Sequence, residues 1–290
     1  VRLGIIGGSG LYALEALSDT QWRTVETPFG SPSDALLFGR LGDAELVFLP
    51  RHGRGHRLTP SEVPYRANIA ALKAAGCNQV LALSACGSFK AALAPGSFVL
   101  VDQYVDRTRG RTKSFFGDGI VAHVSLADPT CGRLGQIVLN SAKAAGIALA
   151  ECGTYLAIEG PQFSTRAESR FYAGADFDVV GMTGMPEAAL AREAELCYAS
   201  IAMVTDYDSW RPADAGANVA DIMAVMHGNG EKARRLVAAV ASQISGSRPT
   251  REHVCEQGCQ RALDHAIVTD RAQWPAAAVE RLRGVAGRVL

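Results

Sequence analysis

Neither sign of charge is in surplus: Lys+Arg and Asp+Glu stand at 29 each over 290 residues. There is thus no global electrostatic reason to bind nucleic acid or an anionic membrane, and any anion must be held locally. Also missing is an uninterrupted apolar run of about 20 residues, the length a membrane-spanning helix needs. The opening stretch 1–12 carries a single basic residue and lacks the regions of a secretory signal. A soluble, cytoplasmic protein without nucleic-acid or membrane partners is expected. No Cys-x-x-Cys occurs, and the seven cysteines are dispersed, which in a cytoplasmic chain reads as reduced, partly buried thiols. Cys255-Glu-Gln-Gly-Cys259 is spaced more widely than a redox pair and has no second Cys/His pair nearby in the chain, so no metal is expected. Internal repeats and low-complexity tracts are absent as well. With 48% hydrophobic and 20% charged residues, the chain is globular in composition and long enough to bury one core.

Short apolar runs then recur. Arg2–Ile6, Glu45–Pro50, Gln79–Leu83, Phe98–Val101, Tyr155–Ile158 and Ser200–Val204 all read as strands, mostly buried on two faces. Between several of them lie helical patterns: Leu134, Ile137, Val138, Ala142 and Ala145 stopped by Gly146, and Tyr65 to Ala75 stopped by Gly76. Pro186 to Leu196 and Val219 to Ile244 are two more. Such alternation predicts an α/β sandwich with a parallel or mixed central sheet, with ligands where strands end. The polar 246–252 stretch, carrying Gly and Pro, divides a main domain, 1–248, from an appendage, 249–290, whose last helix starts at Pro275. At about 40 residues the appendage is too small for a core of its own and should pack on the main domain or a neighbouring subunit.

Three loops at predicted strand ends could hold an anion. Gly7-Gly-Ser-Gly10 offers backbone N–H groups and the Ser9 hydroxyl; its overlap with G-x-G-x-x-A also admits a dinucleotide-binding oxidoreductase. That rival wants an apolar second strand ending in an acid, whereas Glu26 runs into the turn-rich Pro28-Phe-Gly-Ser-Pro32. Arg51-His-Gly-Arg-Gly-His56 supplies a planar cation and two imidazoles, suited to phosphate or equally a solvated basic loop. Ser84-Ala-Cys-Gly-Ser88 leaves a strand into a glycine-bearing turn. Thr205-Asp-Tyr-Asp-Ser-Trp210 ends an apolar strand with two carboxyls, which fit a flat ring between aromatics, a metal with further ligands, or an acidic surface loop.

Gly4-Ile-Ile-Gly-Gly-Ser-Gly-Leu11, Arg51-His-Gly, Glu159-Gly-Pro-Gln-Phe-Ser164, Arg166-Ala-Glu-Ser169, Gly181-Met-Thr-Gly-Met-Pro-Glu187 and Thr205-Asp-Tyr-Asp208 together resemble the methylthioadenosine phosphorylase branch of the trimeric purine nucleoside phosphorylases. The likeness runs from residue 3 to about 245, and continues in Gly258-Cys-Gln-Arg-Ala-Leu263 and Ala266-Ile-Val-Thr-Asp270. The resemblance implies a three-layer α/β/α sandwich, phosphate as a substrate, no cofactor, and a homotrimer or dimer of trimers. By the same resemblance phosphate is held by Ser9, Arg51, His52, Ser84, Ala85 and Thr183, and ribose lies on Met182. The base meets Ala85, Cys86, Phe163, Ser164, Asp206 and Asp208; the methylthio group meets Val219, Ile222 and Met223, with His123 from an adjacent subunit. Asp206, with Asp208, would then protonate the leaving base, which requires a raised pKa from burial and pairing. Paired Asp residues suit the N6 donor and N7 acceptor of adenine better than the O6 acceptor of a 6-oxopurine. Gln162 and Pro64 depart from the pattern, where Arg and Asn are frequent, and bear on substrate breadth.

Overall fold

The computed structural model describes residues 2–8, 11, 14, 16–211, 219–246, 255 and 257–290. At its centre β1 (Arg2–Gly7) runs parallel to β4 (Ala44–Pro50) on one side and to β5 (Gln79–Ser88) on the other. On that same side β5 is also parallel to β11 (Cys197–Asp206), and β6 (Phe98–Val101) lies antiparallel to β11. The rest of the sheet is short: β2 (Ser18–Arg23) and β3 (Leu36–Leu41) form an antiparallel edge beyond β4. β7 (Gln103–Asp106), β9 (Thr154–Ala157) and β10 (Val179–Gly181) extend from the far end of β5, and β8 (Leu149–Ala150) pairs β6.

The central strands bury both faces, and their period of two sorts side chains into opposite layers. Leu3, Ile5, Leu46, Phe48, Leu81 and Leu83 pack with α2 (Gly132–Ala144) and α5 (Val219–Gly246). Ile6, Val47, Leu49, Val80 and Ala82 pack with α1 (Tyr65–Ala74), α4 (Gly184–Glu193) and α6 (Ala276–Ala286). Helices thus cover both faces of a mixed sheet, the three-layer α/β arrangement expected. The expected stops hold as well, since Gly76 and Gly146 both adopt the left-handed backbone that ends a helix.

Two readings are corrected. Residues 84–88 form no turn: β5 continues through Ser88, because Cys86 and Gly87 pair with β11 while Gly87 and Ser88 pair with β10. After β1 the chain enters β2 and the β3–β4 hairpin, with no helix among the described residues, so the βαβ unit a dinucleotide fold requires is not formed. From Leu263 onward the tail lies on the same layer as α1 and α4. Leu263, Ala266, Ala278, Leu282, Val285 and Ala286 join that core, while buried Glu195 accepts from the Leu263 N–H at 3.1 Å and from Arg288 Nε at 2.8 Å.

Candidate active site

Arg51 starts the loop after β4 and is almost wholly buried. Its Nε donates to Glu187 Oε2 at 2.8 Å, its Nη2 to Glu187 Oε1 at 3.0 Å, and its Nη1 to the Leu83 carbonyl at 2.9 Å. Burial alone would lower the guanidinium pKa; the Glu187 carboxylate more than offsets this and raises it. One side chain therefore ties the β4 loop, the middle of β5 and α4 together. Of the five guanidinium hydrogens, those not engaged remain for a ligand. Within β5, Ser84 and Ala85 surface partly between buried neighbours, directly beyond the carbonyl that Arg51 grips. Thr183 precedes α4 with its side chain in no cap hydrogen bond, and Met185, at φ −121° and ψ 138°, breaks the first turn, so regular helix begins only at Pro186. Ser9 lies outside the described residues.

His52 stacks on His56 with centroids 4.3 Å apart, and its Nδ1 lies 2.9 Å from the Leu58 carbonyl. Burial, then the Arg51 charge, push its pKa down to about 4. The ring is neutral at pH 7, and its Nδ1–H must point at Leu58, so Nε2 is left as an acceptor.

The carboxyl pair sits at the end of β11. Asp206 Oδ1 accepts from the Thr205 hydroxyl at 2.7 Å, Asp206 Oδ2 accepts from the Asp208 N–H at 2.9 Å, and Thr205 also reaches the Cys86 carbonyl at 3.2 Å. Burial raises the pKa of both aspartates, and at Asp206 the Asp208 charge adds to it. Asp208 Oδ2 and the Ser164 hydroxyl are buried without a well-formed hydrogen bond, although the Ser169 and Ser164 hydroxyls stand close enough to Asp208 to offset part of that rise. Phe163 is 45% exposed beside them in sequence, and Cys86 is a buried neutral thiol, its pKa pushed up to about 12 by burial. Gly87 backs the pair: a Cβ there would stand 3.2 Å from both Asp206 Oδ2 and Asp208 Cβ and 3.1 Å from Val180.

Met182 follows β10 and packs over Gly160, where a Cβ would come within 2.4 Å of its sulfur. At the head of α5, Ile222 is buried, whereas Val219 and Met223 are 64% and 58% exposed, an apolar pair facing outward from this chain. Asn229 on α5 donates to the Val204 carbonyl at 3.0 Å, docking the helix beside the strand that carries the aspartates. His123 is exposed, and its N–H bonds the Ala266 carbonyl of the tail at 2.9 Å; its partners in this chain are not those of Ile222.

Sequence reasoning assigned no role to Glu187, Tyr198 or Arg111. Tyr198 donates to Glu187 Oε1 at 2.9 Å, completing the support of Arg51. Arg111 donates to the Glu159 carbonyl at 2.7 Å and the Met185 carbonyl at 2.9 Å, joining the base loop to the start of α4. Glu187 follows Pro186 at the end of the Gly181–Glu187 motif; nothing local marks Arg111, whose partners are far away in the chain.

The family model described as "Phosphorylase superfamily" matches residues 2–242. S-methyl-5'-thioadenosine phosphorylase of Cereibacter sphaeroides is 53% identical over 288 residues, covering 99% of this chain and 98% of that protein. The enzyme of the same name from Rhodospirillum rubrum is 49% identical, with 99% and 97% covered. Among solved structures, a methylthioadenosine phosphorylase from an antarctic soil metagenomic library superposes with a TM-score of 0.90 at 43% identity, covering 98% of each chain. A mutant adenosine/methylthioadenosine phosphorylase from Schistosoma mansoni in complex with methylthioadenosine gives 0.81 at 39%, covering 85% and 92%.

Proposed function

The chain belongs to the phosphorylase superfamily, and from that membership together with the site we infer that it cleaves 5'-deoxy-5'-methylthioadenosine with inorganic phosphate, releasing adenine and 5-methylthioribose 1-phosphate. It is a pentosyltransferase of the purine nucleoside phosphorylase type. The observation that carries the choice of base is the buried Asp206–Asp208 pair, both of whose pKa values are raised. Breaking the bond between C1' and N9 puts positive charge on the ribose and negative charge on the purine. A protonated Asp206 donates to N7 as the base leaves, while Asp208 accepts from the N6 amino group. A 6-oxopurine would set its O6 acceptor against that carboxylate.

Phosphate attacks C1' from a site formed by Ser9, Arg51, His52, Ser84, Ala85 and Thr183. Arg51 supplies charge through the N–H groups that Glu187 and Leu83 leave over, and Thr183 adds its uncommitted hydroxyl. Neutral His52 accepts the hydroxyl hydrogen of monohydrogen phosphate at Nε2. The ribose rests on Met182. Ala85, Cys86, Phe163 and Ser164 surround the base. Val219, Ile222 and Met223 form the apolar wall for the methylthio group, closed by His123 of a neighbouring copy in a homotrimer or a dimer of trimers. The exposure of Val219 and Met223 in one chain supports that closure. On this reading residues 1–248 carry the reaction and the appendage, 249–290, supports them.

The deciding experiment follows products from methylthioadenosine, adenosine, inosine and methylthioinosine with and without phosphate. Phosphate-dependent release of adenine, fastest from methylthioadenosine, is expected. Cleavage without phosphate, or faster release of hypoxanthine than adenine, would overturn the reading.

A further inference from the structure

Cys255 and Cys259 are not alone. Folding brings them to Cys131, the N-cap of α2, and to Cys197, the first residue of β11, so that all four buried Sγ atoms lie within 4.8 Å of one another. Cys255 Sγ is 3.2 Å from Cys131 Sγ and 3.4 Å from Cys259 Sγ. None of the four is disulfide-bonded. A tetrahedral zinc with bonds of about 2.3 Å separates its sulfurs by about 3.8 Å, inside the span observed. The expectation of no metal rested on sequence distance; the second pair comes from residues far upstream.

We propose that Cys131, Cys197, Cys255 and Cys259 together bind one structural zinc ion as four thiolates. The surroundings match such an ion's chemistry. Four thiolates and one divalent cation leave a net double negative charge, and two guanidinium groups face it: Arg133 Nη2 lies 3.7 Å from Cys197 Sγ and Arg192 Nη1 3.5 Å from Cys259 Sγ. Gln260 Nε2 at 3.1 Å from Cys197 Sγ and the Leu134 N–H at 3.4 Å from Cys131 Sγ add neutral donors. N–H groups converging on sulfur orient metal-bound thiolates. The Cys-x₃-Cys turn is closed by the Gly258 N–H on the Cys255 carbonyl at 2.7 Å, and Gly258 itself has φ +64°, a backbone that favours glycine. No water-accessible coordination position remains among four protein ligands, so the ion takes no part in phosphorolysis. Its role is to clasp the tail to the heads of α2 and β11. Binding displaces the thiol protons to solvent, as for any thiolate site.

The test uses the full chain, produced with zinc present and purified without chelator. About one zinc per chain is expected by elemental analysis, as a four-cysteine site holds one ion, and a mercurial thiol reagent should release it. Cobalt replacement should give sulfur-to-metal absorption in the near ultraviolet and the visible bands of a tetrahedral site. Cys259→Ser should lose the zinc and lower Tm, whereas Cys152→Ser, altered at an exposed cysteine outside the cluster, should keep both. Should Cys259→Ser fail to fold, Cys259→His retains a ligand and should still bind cobalt with weaker sulfur absorption. Zinc-free protein whose four thiols titrate freely on denaturation would overturn the proposal. So would an intact mass short of the hydrogens lost in disulfide formation.

Discussion

At the scale of single residues, burial decides what each polar group can do. Asp206 is expected to act as an acid because burial, reinforced by Asp208, raises its pKa. The protonated form is the active one, so turnover should fall as pH rises through the pair's titration, and that limb should sit above the ordinary aspartate range. Asp206→Asn should lower kcat by about 10²- to 10⁴-fold with little change in phosphate KM. Unchanged turnover on methylthioadenosine would remove Asp206 from this role. Arg51 carries two tasks at once. Arg51→Ala should raise the phosphate requirement and also destabilise the fold by about 3–5 kcal/mol, since Glu187 is left buried without its partner. Adding Glu187→Gln should recover part of the stability but not phosphate affinity, which denaturation curves and saturation kinetics on the double variant would separate. His52 gives a pH signature. With its pKa depressed from 6.5 to about 4, the folded state binds fewer protons than the unfolded chain between those values. The stability it contributes is complete above the unfolded pKa and is lost as pH falls toward 4. Tm measured across that window should drop more for the parent than for His52→Asn.

Among the elements, α3 (Arg166–Gly174) shows how a remote cap supports the base site. Thr165 accepts from the Glu168 N–H, and Glu168 returns a bond to the Thr165 N–H at 2.9 Å, a capping box. The helix carries Ser169, whose hydroxyl accepts from the Ser209 N–H at 3.1 Å just beyond Asp208. Thr165→Ala should cost about 1 kcal/mol of stability and loosen the Asp208 loop, seen as a higher KM for nucleoside. A KM identical to the parent would show that the loop is held without α3. The head of α5 makes the opposite prediction. Val219 is 64% exposed, so Val219→His removes little packing and should leave Tm nearly unchanged. It should instead narrow the preference for methylthioadenosine over adenosine, which an apolar wall sets at roughly ten- to a hundredfold, or about 1–3 kcal/mol. If kcat/KM for the two nucleosides keeps its ratio, the 5' group lies elsewhere.

For the molecule as a whole, the tail from Leu263 onward is part of the core layer that contains α1 and α4, whereas Cys255 and Cys259 join the layer of α2 and α5. Glu195, 5% exposed, is the joint: it accepts from the Leu263 N–H and from Arg288. Glu195→Ala should therefore lower Tm without changing kcat on the molecules that stay folded, because its side chain bonds the tail residues Leu263 and Arg288 and neither Asp206 nor Arg51 among the described residues. Loss of kcat in step with Tm would mean that the tail acts on the site. Sedimentation in parallel would report whether the same substitution disturbs the proposed trimer.

Much of this was legible in sequence for a simple reason. The strands β1, β4, β6 and the first half of β5 are continuous apolar runs, and the helices α1 and α2 end at glycines that adopt φ +81° and φ +65°; such signals are local and survive without partners. The pairing of Asp206 with Asp208 was equally local, two residues apart on one strand end. Contacts between distant segments, by contrast, are settled only once the chain has folded. β2 is exposed throughout and polar apart from Trp22, and exists because β3 offers it an edge. The extension of β5 to Ser88 depends on β10 and β11. His52 acquires its tautomer from the Leu58 carbonyl, and Arg51 its buried partner from Glu187, 136 residues on. Four cysteines, spread from 131 to 259, converge within 4.8 Å. Each of these rests on a backbone group or charge that becomes a partner only when the chain is folded, which no spacing along the sequence encodes.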